Sequence, residues 1–441
     1  MDVVMANGRG VELIERETIR RVAWRLLPVL MLAYFCAYLD RMNVGMAALT
    51  MNHQLGFSSA VFGFGAGLFF LGYCLAEIPS NLVLNVVGAR SWFARILITW
   101  GVFSGLTAFV WNDWSFYCIR LLLGLAEAGF FPGVVLYLTW WFPSAYRGRA
   151  MAIFYSASMV SLIIGPPIGG LLLQMNGFLG LAGWQWLFVL EALPAIVMCF
   201  VVWFLLTDRP KNATWLTLEQ RTWLQGRLDS EQKQRETIRK FSLIEVFYDP
   251  KMCLLTLAYV GQNMAAYGMF FFLPQIVKGL GVSTNWIGTV SGLPFVFALF
   301  TLNYWGWHSD RTGERVWHVV IPWLLTTFGM AACIFIGTSH PVMTMAALIV
   351  ALAGNQALPA IFWSLPAAFL TGSAAAGGIA MISAVGSLGG WLGPWVYGLL
   401  KDLTGSDNIA LLCLAAAPII SSIAVLLAGH DRRTERIPPR A

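Results

Sequence analysis

GWHSDRTGERVW, residues 306–317, is a polar and charged stretch set between two long apolar runs. It opens on Gly306, places the pair Asp310 and Arg311 four and five residues on, turns at Gly313 and reaches Arg315. A weaker copy, PSNLVLNVVGARSWFAR (79–95), follows the second apolar run as the first stretch follows the eighth. Gly88 then matches Gly313, and Asn85 stands where the acid would be. The same element in corresponding places implies a chain made of two similar halves.

The composition says where those halves sit. The chain has 441 residues, of which 58% are hydrophobic and only 11% charged, with a mean hydropathy of +0.69. A water-soluble protein carries about 25% charged residues, so most of this surface faces something other than water. Apolar runs of about 20 residues recur, each long enough to cross a hydrocarbon core of about 30 Å. The chain is a polytopic membrane protein whose first partner is the lipid bilayer. The polar opening MDVVMANGRGVELIERETIRR lacks the apolar core of a cleavable signal, so the first hydrophobic segment is expected to remain as a span. The seven cysteines lie in apolar segments without a CxxC pair, which indicates neither a zinc site nor a disulfide framework. The net charge of +6 sits in short loops and does not point to nucleic acid.

Twelve spans are read: 24–48, 60–84, 92–111, 114–137, 149–173, 185–206, 253–276, 286–305, 318–337, 342–365, 375–400 and 409–428. One set of connections carries Arg20, Arg21 and Arg25, Arg90 and Arg95, Arg147 and Arg149, residues 207–252, Arg311 and Arg315, and the tail from Arg432. The alternate set has only Lys278 and Lys401. The positive-inside rule puts both termini in the cytoplasm. The longest connection, 207–252, is dense in both charge signs and falls mid-chain. The expected architecture is all-α: a six-helix bundle at 1–206, a cytoplasmic linker at 207–252 and a second six-helix bundle at 253–441. Repeated halves are the usual build of secondary transporters, with the substrate site near the midplane where they meet.

The Gly, Asp-Arg, Gly, basic pattern of GWHSDRTGER resembles the loop signature of the major facilitator superfamily, and the resemblance covers the whole chain. Asp310, Arg311, Gly313 and Arg315 are expected to form a conformational latch. There an acid at a helix N-terminus, or paired with an arginine, holds the halves together on the cytoplasmic side. Longer stretches are similar to the anion:cation symporter family of organic-acid carriers. They include YFCAYLDRMNVG (34–45), RLLLGLAEAGFFPG (120–133), WWFPSAYRGRAMA (140–152), YGMFFFLPQI (267–276), FWSLPAAFLTG (362–372) and GSLGGWLGP (386–394).

Charges inside the spans are the strongest functional signal. Arg120, Gly124 and Glu127 share one face of span four, while Tyr34, Tyr38 and Arg41 share a face of span one with Asp40 about 100° round. Each such charge costs about 2.5–3.5 kcal/mol at the bilayer centre. Asp40, Arg41, Arg120 and Glu127 are therefore expected to face one wet cavity and pair with one another, an arrangement that a purely structural network would need as well. Arginine stays charged and grips a carboxylate with two parallel hydrogen bonds, which marks Arg41 and Arg120 for an anionic substrate. Burial disfavours an ionised carboxylate and a neighbouring arginine favours it, so Asp40 and Glu127 suit proton coupling. The resemblance implies the same role for them.

Secondary binding candidates are Tyr38 and Tyr73 from spans one and two, Tyr267 and Gln275 from span seven, Trp363 from span ten, and Ser383 and Ser387 from span eleven. A lone aromatic is equally at home in packing or in an interfacial belt, and the glycines of span eleven suit close helix packing. Relatives often carry Asn at both serine positions, so the serines lean towards an aromatic or short carboxylate and away from a polyol acid. The five histidines are scattered and no phosphate-binding loop is present, which argues against an enzyme or an ATP-driven pump. No cofactor or metal is indicated. The expectation is a monomeric inner-membrane importer of an organic carboxylate by proton symport. Its rival is an organic anion or organophosphate exchanger without proton coupling.

Overall fold

The computed structural model describes residues 2–236, 248–369 and 373–429. Linker residues 237–247, Thr371 and Gly372 of the 362–372 stretch, and the basic tail from Arg432 lie outside the described residues. Every long element among the described residues is an α-helix, in agreement with an all-α membrane protein. The first half holds α1 (Asp2–Leu55), α2 (Ser59–Val87), α3 (Ala89–Leu106), α4 (Asp113–Glu127), α5 (Phe130–Trp141), α6 (Ser144–Leu173) and α7 (Gly183–Leu205). Helix α8 (Leu218–Glu236) lies in the linker. The second half holds α9 (Pro250–Gly279), α10 (Thr284–Thr312), α11 (Val316–Ile336) and α12 (Pro341–Gln356). The short α13 (Pro359–Phe362) and α14 (Ser364–Phe369) follow, then α15 (Ser373–Thr404) and α16 (Asp407–Ala428). Nine helical stretches among the described residues are long and apolar enough to cross a membrane.

The differences from the predicted spans have local causes. Helix α1 runs past 24–48 at both ends. Residues 12–21, ELIERETIRR, are rich in the strong helix formers Glu and Arg, so the helix continues outside the apolar segment. Span four is two helices, α4 and α5, broken at Gly129, which has φ +84°. A Cβ there would lie 2.2 Å from Ser80 Oγ, so both the turn and the close approach of α2 demand glycine. Span ten breaks after Gln356, where Pro359 opens a new short helix. Span eight runs on to Thr312, so the segment 306–312, read as a loop, is the last turns of α10, ended by Gly313 with φ +71°.

On the face whose connections carry only Lys278 and Lys401, which the positive-inside rule makes periplasmic, the halves meet backbone to backbone. A Cβ on Gly63 of α2 would lie 2.1 Å from Pro394 O of α15, and one on Gly398 would lie 2.0 Å from Ser59 O. Gly288 of α10 presses likewise on Pro166 O of the GPPIGG stretch in α6. The Asp402 carboxylate accepts from the N–H groups of Ser59 (3.0 Å) and Ala60 (2.7 Å), capping the first turn of α2 from the opposite half. This side is closed.

Candidate functional site

A central cavity of about 120 Å³ lies between the halves. Helix α1 turns Tyr34, Tyr38 and Arg41 into it, the face that helical spacing groups together; α2 adds Tyr73 and α9 adds Tyr267. Trp363, at the join of α13 and α14, and Ser383 and Ser387 of α15 line it from the second half. Six of the predicted secondary candidates, contributed by five segments far apart in sequence, thus meet around Arg41.

The Arg41 guanidinium donates through Nη2 to Glu127 Oε1, an ion pair with both partners almost wholly buried. Glu127 is the last residue of α4, two residues before the break at Gly129, and reaches Arg41 from behind the cavity lining. The guanidinium carbon lies 5.0 Å from the ring centre of Tyr38, 5.1 Å from Phe69 and 5.6 Å from Tyr73. Aromatic faces attract a cation without neutralising it. Its Nε is buried without a hydrogen-bond partner. One charged donor is therefore held at the cavity by rings and by a single carboxylate.

The other intramembrane charges do not join it. Asp40, 1% exposed, points away into the first half. Its carboxylate accepts from Trp100 Nε1 (2.5 Å), Ser104 Oγ (2.6 Å) and Asn43 Nδ2 (3.2 Å). The 100° step round α1 that separates it from Arg41 aims it at α3 instead of the cavity. Arg120 is fully buried behind the wall; Nη2 donates to Ala66 O of α2 (3.2 Å), while Nε and Nη1 have no partner. Of the four charges expected in one chamber, Arg41 lines the cavity and pairs with Glu127, while Asp40 and Arg120 lie behind the lining, each with the partners just named. Gln275 also stays out of the cavity: it lies two turns beyond Tyr267 on α9, and its Nε2 is buried without a partner.

Several lining residues escaped the sequence reading. Tyr155 of α6, Tyr259, Gln262 and Asn263 of α9, and Gln356 at the end of α12 all reach the cavity. The dipeptide Gln262-Asn263, one turn before Tyr267 in an apolar helix, was a visible signal. Gln262 is braced, accepting from Trp323 Nε1 and donating to Asn355 O (3.1 Å), and Asn263 donates to Gly386 O (2.9 Å). Tyr155 carried no such mark, since an isolated tyrosine in α6 reads as packing. Glu77, one turn beyond Tyr73, accepts from Ser383 Oγ across the two halves (3.0 Å).

At the end of α10, Asp310 pairs with Arg315 of its own half (2.7 Å), and Arg315 also donates to Ser309 Oγ (2.9 Å). Arg311 lies over the Trp307 ring, 5.5 Å from its centre. In the first-half copy an acid does arrive, from the linker: Asp208 Oδ1 accepts from Arg90 N at the start of α3 (2.8 Å), beside Gly88. The copy that lacks its own acid at Asn85 is completed by residue 208.

The chain matches the Major Facilitator Superfamily profile over residues 30–394. It is 47% identical over 418 residues to a putative tartrate transporter of Agrobacterium vitis, covering 95% of this chain and 92% of that one. A quinolone resistance transporter of Acinetobacter baumannii is 40% identical, covering 93% of this chain and 94% of its own. Among solved structures, a bacterial homolog of the human lysosomal transporter Spinster, in an inward-facing and occupied conformation, superposes with a TM-score of 0.74. It has 17% identity and covers 94% of this chain and 98% of that one.

Proposed function

Because this chain belongs to the major facilitator superfamily, we propose that it imports a short organic carboxylate with protons by alternating access across a cell inner membrane. A multi-pass transporter, and not an enzyme, is what the family makes it. The proposal extends this to a monomer of twelve spans. Its bodies 1–206 and 253–441, tethered by 207–252, rock about the central cavity.

One observation carries the reading: Arg41 lines the cavity while its guanidinium is paired with Glu127. A substrate carboxylate that reaches Arg41 competes with Glu127 for the same N–H groups. Once displaced, the Glu127 carboxylate is buried without a cation, a state costly enough that it takes up a proton. Release of the acid lets Glu127 return its proton and re-form the pair. Asp40 is the second coupling acid in this proposal, acting from behind the wall. Arg120 is reassigned from gripping substrate to holding α4 against α2. Tyr38, Tyr73, Tyr267, Ser383 and Ser387 offer hydroxyls to the remainder of the acid, and Trp363 covers it. The small cavity and the tartrate named for the Agrobacterium vitis relative both support a short, polar acid. Asp310, Arg311, Gly313 and Arg315 form the proposed latch. Here Asp310 is satisfied within its own half, and it would exchange partners as the halves rearrange on the cytoplasmic side.

The test is uptake into proteoliposomes with an inward proton gradient and a panel of short dicarboxylates, tartrate included. The native chain should concentrate one of them. Glu127→Gln should still exchange it without concentrating it, and Arg41→Ala should do neither. Concentrative uptake by Glu127→Gln at the native level would remove Glu127 from the coupling, and a native chain that exchanges the acid without concentrating it would support the exchanger without proton coupling.

A further inference from the structure

Away from the central cavity, α1 and α6 bound a groove of about 960 Å³ at the cytoplasmic end of the first half. Both helices enter the membrane from that end, so residue number measures depth on each at about 1.5 Å per residue. At the mouth stand Arg16 and Arg20 of α1 and Arg149 of α6. One turn deeper are Trp24 and Ile153, followed by Pro28 and Met31. The groove therefore changes from cationic to apolar along a single direction. Trp24 is 77% exposed at that boundary, where tryptophan marks the headgroup level of a bilayer.

Among the described residues no hydrogen bond or ion pair engages the guanidinium groups of Arg16, Arg20 or Arg149. Two carboxylates share the mouth, Glu12 and Glu15, and Glu15 already accepts from the Tyr146 hydroxyl (3.0 Å). Three cations over two acids leave a positive surplus beside the exposed Trp24, on the side that carries the basic loops. A soluble anion would satisfy the arginines and leave the apolar floor bare, and a neutral lipid would do the reverse. We propose that this groove is a binding site for one anionic phospholipid, its phosphate held by Arg20 and Arg149 and an acyl chain laid over Trp24, Met31 and Ile153. Basic pockets between helices on the cytoplasmic side recognise anionic headgroups on these terms. Such a lipid would brace α1, the helix that carries Arg41, against α6.

The experiment titrates the purified full chain in detergent with dioleoylphosphatidylglycerol, dioleoylphosphatidylcholine or glycerol 3-phosphate and follows thermal unfolding. Phosphatidylglycerol should raise the midpoint by roughly 5 °C near saturation, and the other two by far less. Arg20→Gln/Arg149→Gln should lose at least half of that rise. In native mass spectra of the unmodified chain, one phosphatidylglycerol should be retained in preference to phosphatidylcholine, a readout that does not depend on the variant folding. Equal shifts from the two lipids, a full shift in the double variant, or no preferential retention would overturn the proposal. A full shift from glycerol 3-phosphate alone would replace the lipid with a soluble anion.

Discussion

Ser383 on α15 donates its hydroxyl to Glu77 on α2 at 3.0 Å, joining the two halves on the cytoplasmic side of the cavity. The other Glu77 oxygen is buried without a partner. Ser383→Ala therefore leaves a desolvated carboxylate that gains water only if the halves part, a cost of about 1–3 kcal/mol in the closed arrangement. The balance should move towards the cytoplasm-open state by roughly 5- to 150-fold. Spin labels at Val86 and Trp317, exposed cytoplasmic positions on opposite halves, would report a longer distance population. An unchanged distribution would show that the bond does not gate.

Asp40 and Arg41 are neighbours in sequence but face different compartments of the fold, and their variants should separate accordingly. Arg41→Ala should abolish substrate binding. Asp40→Asn should leave the dissociation constant within about threefold while proton-driven accumulation is lost, because Asp40 does not line the cavity. The variant should also melt lower, since an amide cannot accept from Trp100, Ser104 and Asn43 as the carboxylate does, costing about 1–3 kcal/mol. Titration calorimetry beside uptake decides it; a Kd lost in Asp40→Asn would return this residue to the binding surface.

Arg120 is expected to behave as a structural cation. Arg120→Ala removes a fully buried side chain from between α4 and α2 and should lower the folded yield severalfold. Arg120→Lys keeps the charge and should bind substrate with near-native affinity in the folded fraction. If Arg120→Lys folds normally and fails to bind, the guanidinium takes part in recognition after all.

The fold was legible because the bilayer restricts the choices: long apolar runs can only be helices, and the Arg and Lys asymmetry orients them. The cavity was legible where helical spacing groups side chains, as with Tyr34, Tyr38 and Arg41. What stayed hidden was the direction in which each charge points. Asp40 lies next to Arg41 yet points to α3, and Arg120 shares a face with Glu127 yet stops behind Phe69, whose ring centre is 5.3 Å from its guanidinium carbon. Sequence spacing fixes a helix face; which neighbour covers that face is a tertiary fact. Asp208 shows the same limit, since it completes a loop whose own sequence lacks the acid.

The closed periplasmic side offers the sharpest geometric test. Gly63 and Pro394 belong to opposite halves, and a methyl group on Gly63 would lie 2.1 Å from a backbone oxygen that no side-chain rotation can move. Gly63→Ala must hold α2 and α15 apart on that side while leaving each half intact. Asp402→Asn attacks the same closure differently, by removing the full negative charge from the first turn of α2, where a charge–dipole contact contributes about 0.3–1 kcal/mol. Both variants should shift the protein towards the periplasm-open state, Gly63→Ala strongly and Asp402→Asn by a few-fold. Spin labels at Trp111 and Val342, exposed on that face of opposite halves, should move apart, with the cytoplasmic pair Val86 and Trp317 moving closer. The opposed shifts are the essential result: separation at both ends would mean that the halves had merely loosened, and alternating access about the central cavity would lose its support.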